Sequence, residues 1–352
     1  MAEPAEDILF ERLAGMRIII YTLKRLLLLI PILLGISIIT FAITHIIPGD
    51  PLYILLSPYA KEDDIQNARV ELGLDKPLYV QYGIYLNDLV HGDLGYAYRT
   101  RKPVLDDIKQ RFPATFELTT LSLFLAVIVG VPLGVQAAVH RDTWFDHLVR
   151  IVSVGGVSIP IFWTGVVLIY ILYYKLKIAP PPMGRMGIMD TPPDTITGMY
   201  IMDSILTKNW VALKVSLKYI ALPAITLSFA MLAPIMRITR NSMLEVLNSN
   251  FVRTARSLGL SKRTVIYNDA LRNALLPVVT SIGQILGWSL GGEVLVEVVF
   301  SWPGLGYYAV NSILNTDYAP VQGFVLLTAM IYVLVNLAVD LLYTVIDPRI
   351  TY

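Results

Sequence analysis

The 22 residues from Leu26 to Ile47 include no Asp, Glu, Lys or Arg, and sixteen of them are apolar. At a rise of ~1.5 Å per residue, a helix of that length crosses the ~30 Å hydrocarbon core of a bilayer. Five further runs of the same kind follow, at 114–139, 151–174, 215–236, 274–296 and 324–346. Hydrocarbon offers the backbone no hydrogen-bond partners, so each run must bond to itself as a helix. The chain is 55% hydrophobic and only 16% charged, with a mean hydropathy of +0.61. A soluble domain carries about 25% charged residues. The expectation is an all-α integral membrane protein with six transmembrane helices.

The first run is too long for a signal-peptide core of ~7 to 15 residues, and no small-residue cleavage site follows it, so it reads as a retained span. Pro31 and Gly35 inside it predict at most a bend, because neighbouring helices can satisfy the freed carbonyls.

Orientation comes from the distribution of cations. Arg12, Arg17, Lys24 and Arg25 precede the first span with no acid among them, behind a solvated start that carries Glu3, Glu6, Asp7 and Glu11. Residues 237–273 hold seven Lys and Arg against Glu245 and Asp269, whereas 297–321 hold none. A tail at 1–25, a loop at 237–273 and a terminus at 347–352 are therefore expected to be cytoplasmic. The long loops at 48–112 and 178–214 are expected outside with 297–321, and His140 to His147 form a short cytoplasmic turn. Within 48–112, helix start signals and loose periodicity at Glu62–Leu72, Pro77–Val90 and Pro103–Phe112 predict a small folded cap. The second external loop opens on Pro180, Pro181, Pro182 and Gly184, and its apolar stretch Met199–Leu206 with Trp210 suits the interface.

One stretch contradicts its greasy surroundings. Asn248 to Arg263 is basic and amphipathic, with Phe251, Ala255 and Leu258 at i, i+4 and i+7 and with Arg253, Arg256, Lys262 and Arg263 largely off that face. Gly259 suits a left-handed helix end, and Ser261 suits the cap of the helix running into span five. Two uses fit such a helix: its arginines can donate to a partner surface, or they can lie on anionic headgroups.

Ionisable and polar groups at membrane depth form a second set of candidates. Asn336 and Asp340 share a face of span six and either line a pathway or lock helices together. Glu293 and Glu297 lie one turn apart near the outer end of span five. Glu293 is a candidate for recognising a substrate ammonium, with a carboxylate that simply reaches water as the alternative. Glu117 and Lys218, near outer ends, read as snorkelling groups. Gly283, Gly287 and Gly291 recur at four-residue intervals, a strip suited to close helix packing or to substrate passage. Ser301 to Gly306, SWPGLG, reads as a rigid external turn.

Absent patterns exclude other chemistries. There is no G-x-x-x-x-G-K-[ST], so this chain has no P-loop for nucleotide phosphates. There is no H-E-x-x-H, no cysteine, and the four histidines fall on different sides of the membrane. No catalytic residue, metal site or bound cofactor is expected, and nothing points to nucleic acid.

Six stretches in order resemble a known family. They are RLLLLIPILLGISIITFAITHIIPGDP (Arg25 to Pro51), LGLDKPLYVQYGIYLNDLVHGDLG (Leu72 to Gly95), PATFELTTLSLFLAVIVGVPLGV (Pro113 to Val135), FVRTARSLGLSKRTVIYNDALRNALLPVVT (Phe251 to Thr280), VFSWPGLGYYAV (Val299 to Val310) and DLLYTVIDPRI (Asp340 to Ile350). Over nearly its whole length the chain is similar to the B-type membrane subunit of dipeptide and oligopeptide ABC importers, in the type I importer class.

The resemblance implies a permease subunit, not an enzyme, that imports peptide across the cell membrane. It implies a C-type permease partner, two ATP-binding subunits that hold the ATP and Mg, and an external solute-binding protein. It also implies that Asn250, Phe251, Val252, Arg253, Thr254, Ala255, Arg256, Ser257, Leu258 and Gly259 form a cytoplasmic coupling helix docked on the ATPase. The general pattern there is EAA---G, so Arg253 stands in place of Glu and Thr254 in place of the first Ala. Span five is implied to border the pathway, which makes Gln284, Gly287, Trp288, Ser289, Gly291 and Glu293 wall candidates beside Asn336 and Asp340. Relatives that carry oligosaccharides, nickel complexes or glutathione keep other solutes open. An ion-coupled secondary transporter would need an inverted repeat, which the halves do not display, and an intramembrane hydrolase would need a nucleophile and base that are not at workable spacing.

Overall fold

The computed structural model describes residues 3–46, 61–71, 73–291 and 293–346. Within them five helices are long and apolar enough to cross a membrane, or six when one bent pair is taken as a single span. Helix α1 (Glu3–Ile46) includes the first span and continues unbroken through Pro31. The segment expected as a solvated tail is thus the start of the same helix. Ile47, much of the expected cap at 48–60 and the terminus at 347–352 lie outside the described residues.

The described part of the long segment at 48–112 contains α2 (Glu62–Glu71), α3 (Leu78–Val90) and a two-strand ribbon of β1 (Tyr96–Ala97) and β2 (Lys102–Pro103). A separate helix over Pro103–Phe112 does not form. Those residues are the first turns of α4 (Val104–Val139), which carries the second span without a break at Pro113. Tyr82 and Tyr85 of α3 pack around Phe41 of α1, and the Tyr82 hydroxyl bonds Ser37 at 2.9 Å, so the cap is pinned to the outer half of span one.

The third span departs most from expectation. In place of one helix over 151–174 there are α5 (Trp144–Ser158) and α6 (Ile161–Leu168), the latter prolonged by a π-helical segment Ile169–Lys175, meeting at 103°. Pro160 is the cause. It has no N–H to continue the ladder and forces Ile159 into an extended conformation (φ −87°, ψ 125°).

Helix α7 (Tyr200–Leu206) lies in the segment at 178–214. The fourth span lies inside α8 (Trp210–Leu247), which runs eleven residues beyond the apolar run at 215–236 and carries the chain into the basic region. It packs lengthwise on α4 around Leu118, Leu123, Leu227, Met231 and Ile235, all buried. After α9 (Asn250–Ser257), a short turn α10 (Lys262–Thr264) and a π-helical segment Val265–Ala270 lead into α11 (Leu271–Leu290). Helix α11 stops before Gly291, short of the expected end at 296. A short α12 (Val294–Val299) follows, then α13 (Leu305–Leu314) and the sixth span within α14 (Tyr318–Ile346).

Candidate functional site

Helix α9 is held to the rest of the protein by one residue above all. Val252 is fully buried against Val135, Ala138, Met243, Val265 and Ala270, with Ala255 partly buried beside it. The other members of the expected apolar face point away: Phe251 is 44% exposed and Leu258 75% exposed. Asn250, Arg253, Thr254, Arg256, Ser257 and Gly259 are also exposed. A seven-residue spacing identifies an apolar stripe but not which part of it the protein keeps for itself. Here Val252 anchors the helix, and Phe251 and Leu258 stand outside with the arginines.

The end of α9 is locked by backbone geometry. Gly259 takes φ 80°, its N–H bonds Arg256 O at 3.0 Å, and Leu260 N bonds Ala255 O at 3.3 Å. This crossed pair is a Schellman closure, which requires a residue comfortable in the left-handed region. Two residues on, Ser261 Oγ accepts from Thr264 N at 3.2 Å and starts α10.

A buried ion pair ties the start of α5 to α8. Asp146, fully buried at the start of α5, accepts from Arg240 Nε at 2.5 Å and Nη2 at 2.8 Å and from the Asp142 N–H at 3.0 Å. A planar guanidinium gripping both carboxylate oxygens fixes orientation as well as distance. Between α9 and the base of span five lies an open groove of about 640 Å³, lined by Phe251, Leu258, Asn268, Asp269, Arg272 and neighbouring residues.

The pathway candidates do not form one wall. Gln284 and Trp288 lie on the exposed side of α11, with Trp288 63% exposed. Ser289 is buried and faces the protein. The glycine strip meets α14: a Cβ at Gly283 would lie 2.0 Å from Val339 Cγ2, one at Gly287 would lie 3.3 Å from Val335 Cγ1, and Gly291 faces Thr328. Asp340 is in an ion pair with Arg25 of α1 at 3.0 Å, and Asn336 is half-buried one turn before it. That contact joins span one to span six, the geometry of a helix lock. Glu293 is nine-tenths buried rather than open to water, and its Oε1 has no partner.

The opposite ends of the spans are organised by charges whose partners lie far away in the chain. Glu117 does not snorkel. It is buried, paired with the equally buried Arg185 at 2.6 Å, and accepts from Ile201 N at 2.6 Å. Arg185 also donates to Gly198 O at 2.9 Å and stacks 3.5 Å from the Tyr200 ring, so the second external loop is tied onto the end of α4. Lys218 is exposed. Nearby, burial pushes the Asp203 carboxyl up, but hydrogen bonds from Thr197 and Gly198 outweigh it and hold the group below its ordinary value. The SWPGLG turn folds inward: Trp302 is buried with Nε1 on Ala114 O at 2.9 Å, and Glu297 accepts from Thr115 Oγ1 at 2.6 Å and Tyr307 N at 2.9 Å. Sequence reasoning missed Arg185, Asp146 and Asp269, since nothing local announces their surroundings.

A bundle of helices long and apolar enough to cross a membrane defines a multi-pass membrane protein. The chain belongs to the family of binding-protein-dependent transport system inner membrane components: residues 130–352 match its main part and residues 18–119 its N-terminal part. Members of that family are transport components rather than catalysts. The chain is 45% identical over 322 residues to a probable D,D-dipeptide transport system permease protein, DdpB, of Escherichia coli K12, covering 92% of this chain and 94% of the relative. It is 44% identical over 335 residues to the dipeptide transport system permease protein DppB of Alkalihalophilus pseudofirmus, covering 94% and 99%. It is 38% identical over 332 residues to the glutathione transport system permease protein GsiC of an Escherichia coli O6:H1 strain, again covering 94% and 99%.

Proposed function

We propose that this chain is the permease subunit of an ATP-driven dipeptide importer in the cell membrane, with both termini cytoplasmic. It forms half of the translocation pathway beside a C-type permease subunit. An external solute-binding protein delivers peptide to the outer loops. Two ATP-binding subunits, which supply the ATP and Mg sites that a chain without a P-loop lacks, grip α9 from the cytoplasm. Their closure on ATP pulls that helix, and the spans rock open outward. The observation that carries this reading is α9 itself: a closed basic helix whose Phe251 and Leu258 remain exposed while Val252 anchors it to the span-four and span-five bases. Dipeptide as cargo is supported by the relatives at 44–45% identity named for dipeptide transport, and the glutathione relative at lower identity is also named for a peptide-like solute.

The test replaces Phe251 by Asp and, separately, Arg256 by Glu in the assembled transporter in proteoliposomes. Substrate-coupled ATP hydrolysis and peptide uptake fall at least about tenfold in each, as expected for exposed anchors of an interface, while the amount of inserted permease is unchanged. Wild-type uptake in both variants refutes the docking role of α9.

A further inference from the structure

Asp269 lies on the floor of the groove beside α9, in the π-helical segment Val265–Ala270. Its Oδ2 is buried and has no hydrogen-bond partner among the described residues. The neighbouring Asn273 spends its amide on the Asp269 backbone carbonyl at 2.7 Å, not on the carboxylate. Arg272 lines the groove and is exposed, and Arg253, Arg256, Lys262 and Arg263 are exposed on α9 and α10 outside the groove lining; among the described residues none of the five pairs with an acid. The groove thus holds one unsatisfied acceptor, with exposed cations beside it. A π-helical turn is an uncommon way to start a span and recurs where a backbone is adjusted for function.

We propose that this groove receives a basic side chain of the ATP-binding subunit, which donates to Asp269 Oδ2 while acidic residues of the same subunit meet the exposed cations of α9 and α10. The inference rests on the reading of α9 as the docking element and adds to it the chemistry of a second contact. A carboxylate only accepts, so its partner must be a donor, and charge-assisted donors make the strongest bonds. The open groove of about 640 Å³ has room for a long arginine or lysine side chain. Exposed cations alone attract any acidic patch; an acid in the groove beside them selects one register. Anionic lipid headgroups suit the cations but not the floor, because a phosphate cannot donate to Asp269.

The experiment uses the complete transporter in nanodiscs. A photoreactive residue replaces Asn268, which lines the same groove, and Asp269 stays intact. The expected product is a cross-link to the ATP-binding subunit, at a peptide that contains lysine or arginine. In parallel, Asp269→Asn removes the charge at constant shape, and the ATP-binding subunit is expected to leave the washed complex about tenfold faster, as for loss of one charge-assisted bond at an interface. Cross-links confined to lipid or to this chain, or retention of the ATP-binding subunit unchanged by Asp269→Asn, overturn the proposal. If Phe251→Asp releases that subunit and Asp269→Asn does not, the groove contact fails alone. If neither releases it, the reading of α9 fails as well.

Discussion

Glu117 shows how far a residue's role can lie from its local context. In sequence it is one carboxylate near the outer end of a span, and such groups usually reach water. In the structure it is buried against Arg185, a partner 68 residues away in a proline-rich loop. Taking two charges out of water is costly, so this pair adds little net stability, but removing one partner strands the other. Glu117→Gln is expected to destabilise the permease by about 3 to 5 kcal/mol, read as an earlier thermal-inactivation midpoint in nanodiscs. Glu117→Gln combined with Arg185→Met, which leaves no stranded charge, should recover most of that loss. A single-variant midpoint equal to wild type would mean that water or relaxation rescues the arginine.

At the scale of elements, the glycine strip of α11 was visible as a pattern but ambiguous in use. A four-residue repeat of glycine flattens one side of a helix, and a flat side suits either a neighbouring helix or a passage. Val339 resolves it, because a Cβ at Gly283 would lie 2.0 Å from its Cγ2. Gly283→Val is therefore expected to push α11 off α14 at a cost of about 1 to 3 kcal/mol, the range of overpacked cores. Monitoring a disulfide engineered between α11 and α14 would report the separation, and undiminished cross-linking would count against close packing. The fate of α9 is the converse case. Its existence, its glycine end and the serine that caps the next helix were readable because all three are decided within a few residues. Which of its apolar residues faces inward was not, since Val252 is buried by Val135, Met243 and Val265 from three other segments.

For the whole molecule the testable quantity is orientation. The protein has no cysteine, so single cysteines can be placed against a silent background. Met189 in the segment at 178–214 is 99% exposed, and Ser257 at the end of α9 is exposed in the basic segment. In intact cells a membrane-impermeant maleimide is expected to label Met189→Cys, and to label Ser257→Cys only after permeabilisation. The reverse pattern would invert the assigned topology.

Read alone, the sequence determined the number and place of the apolar runs, the segregation of cations that sets orientation, and the basic helix that ends at Gly259. These are properties of chain length, of charge and of hydrogen bonds spanning a few residues, and they do not depend on what lies across the bundle. The tertiary structure decided the rest: that the third run breaks at Pro160 into helices 103° apart, that Glu117, Asp146 and Asp340 are paired, and that Asp269 is not. Burial and pairing depend on contacts between residues tens to hundreds of positions apart. In a chain this apolar, a charged residue looks the same in sequence whether a partner awaits it or not.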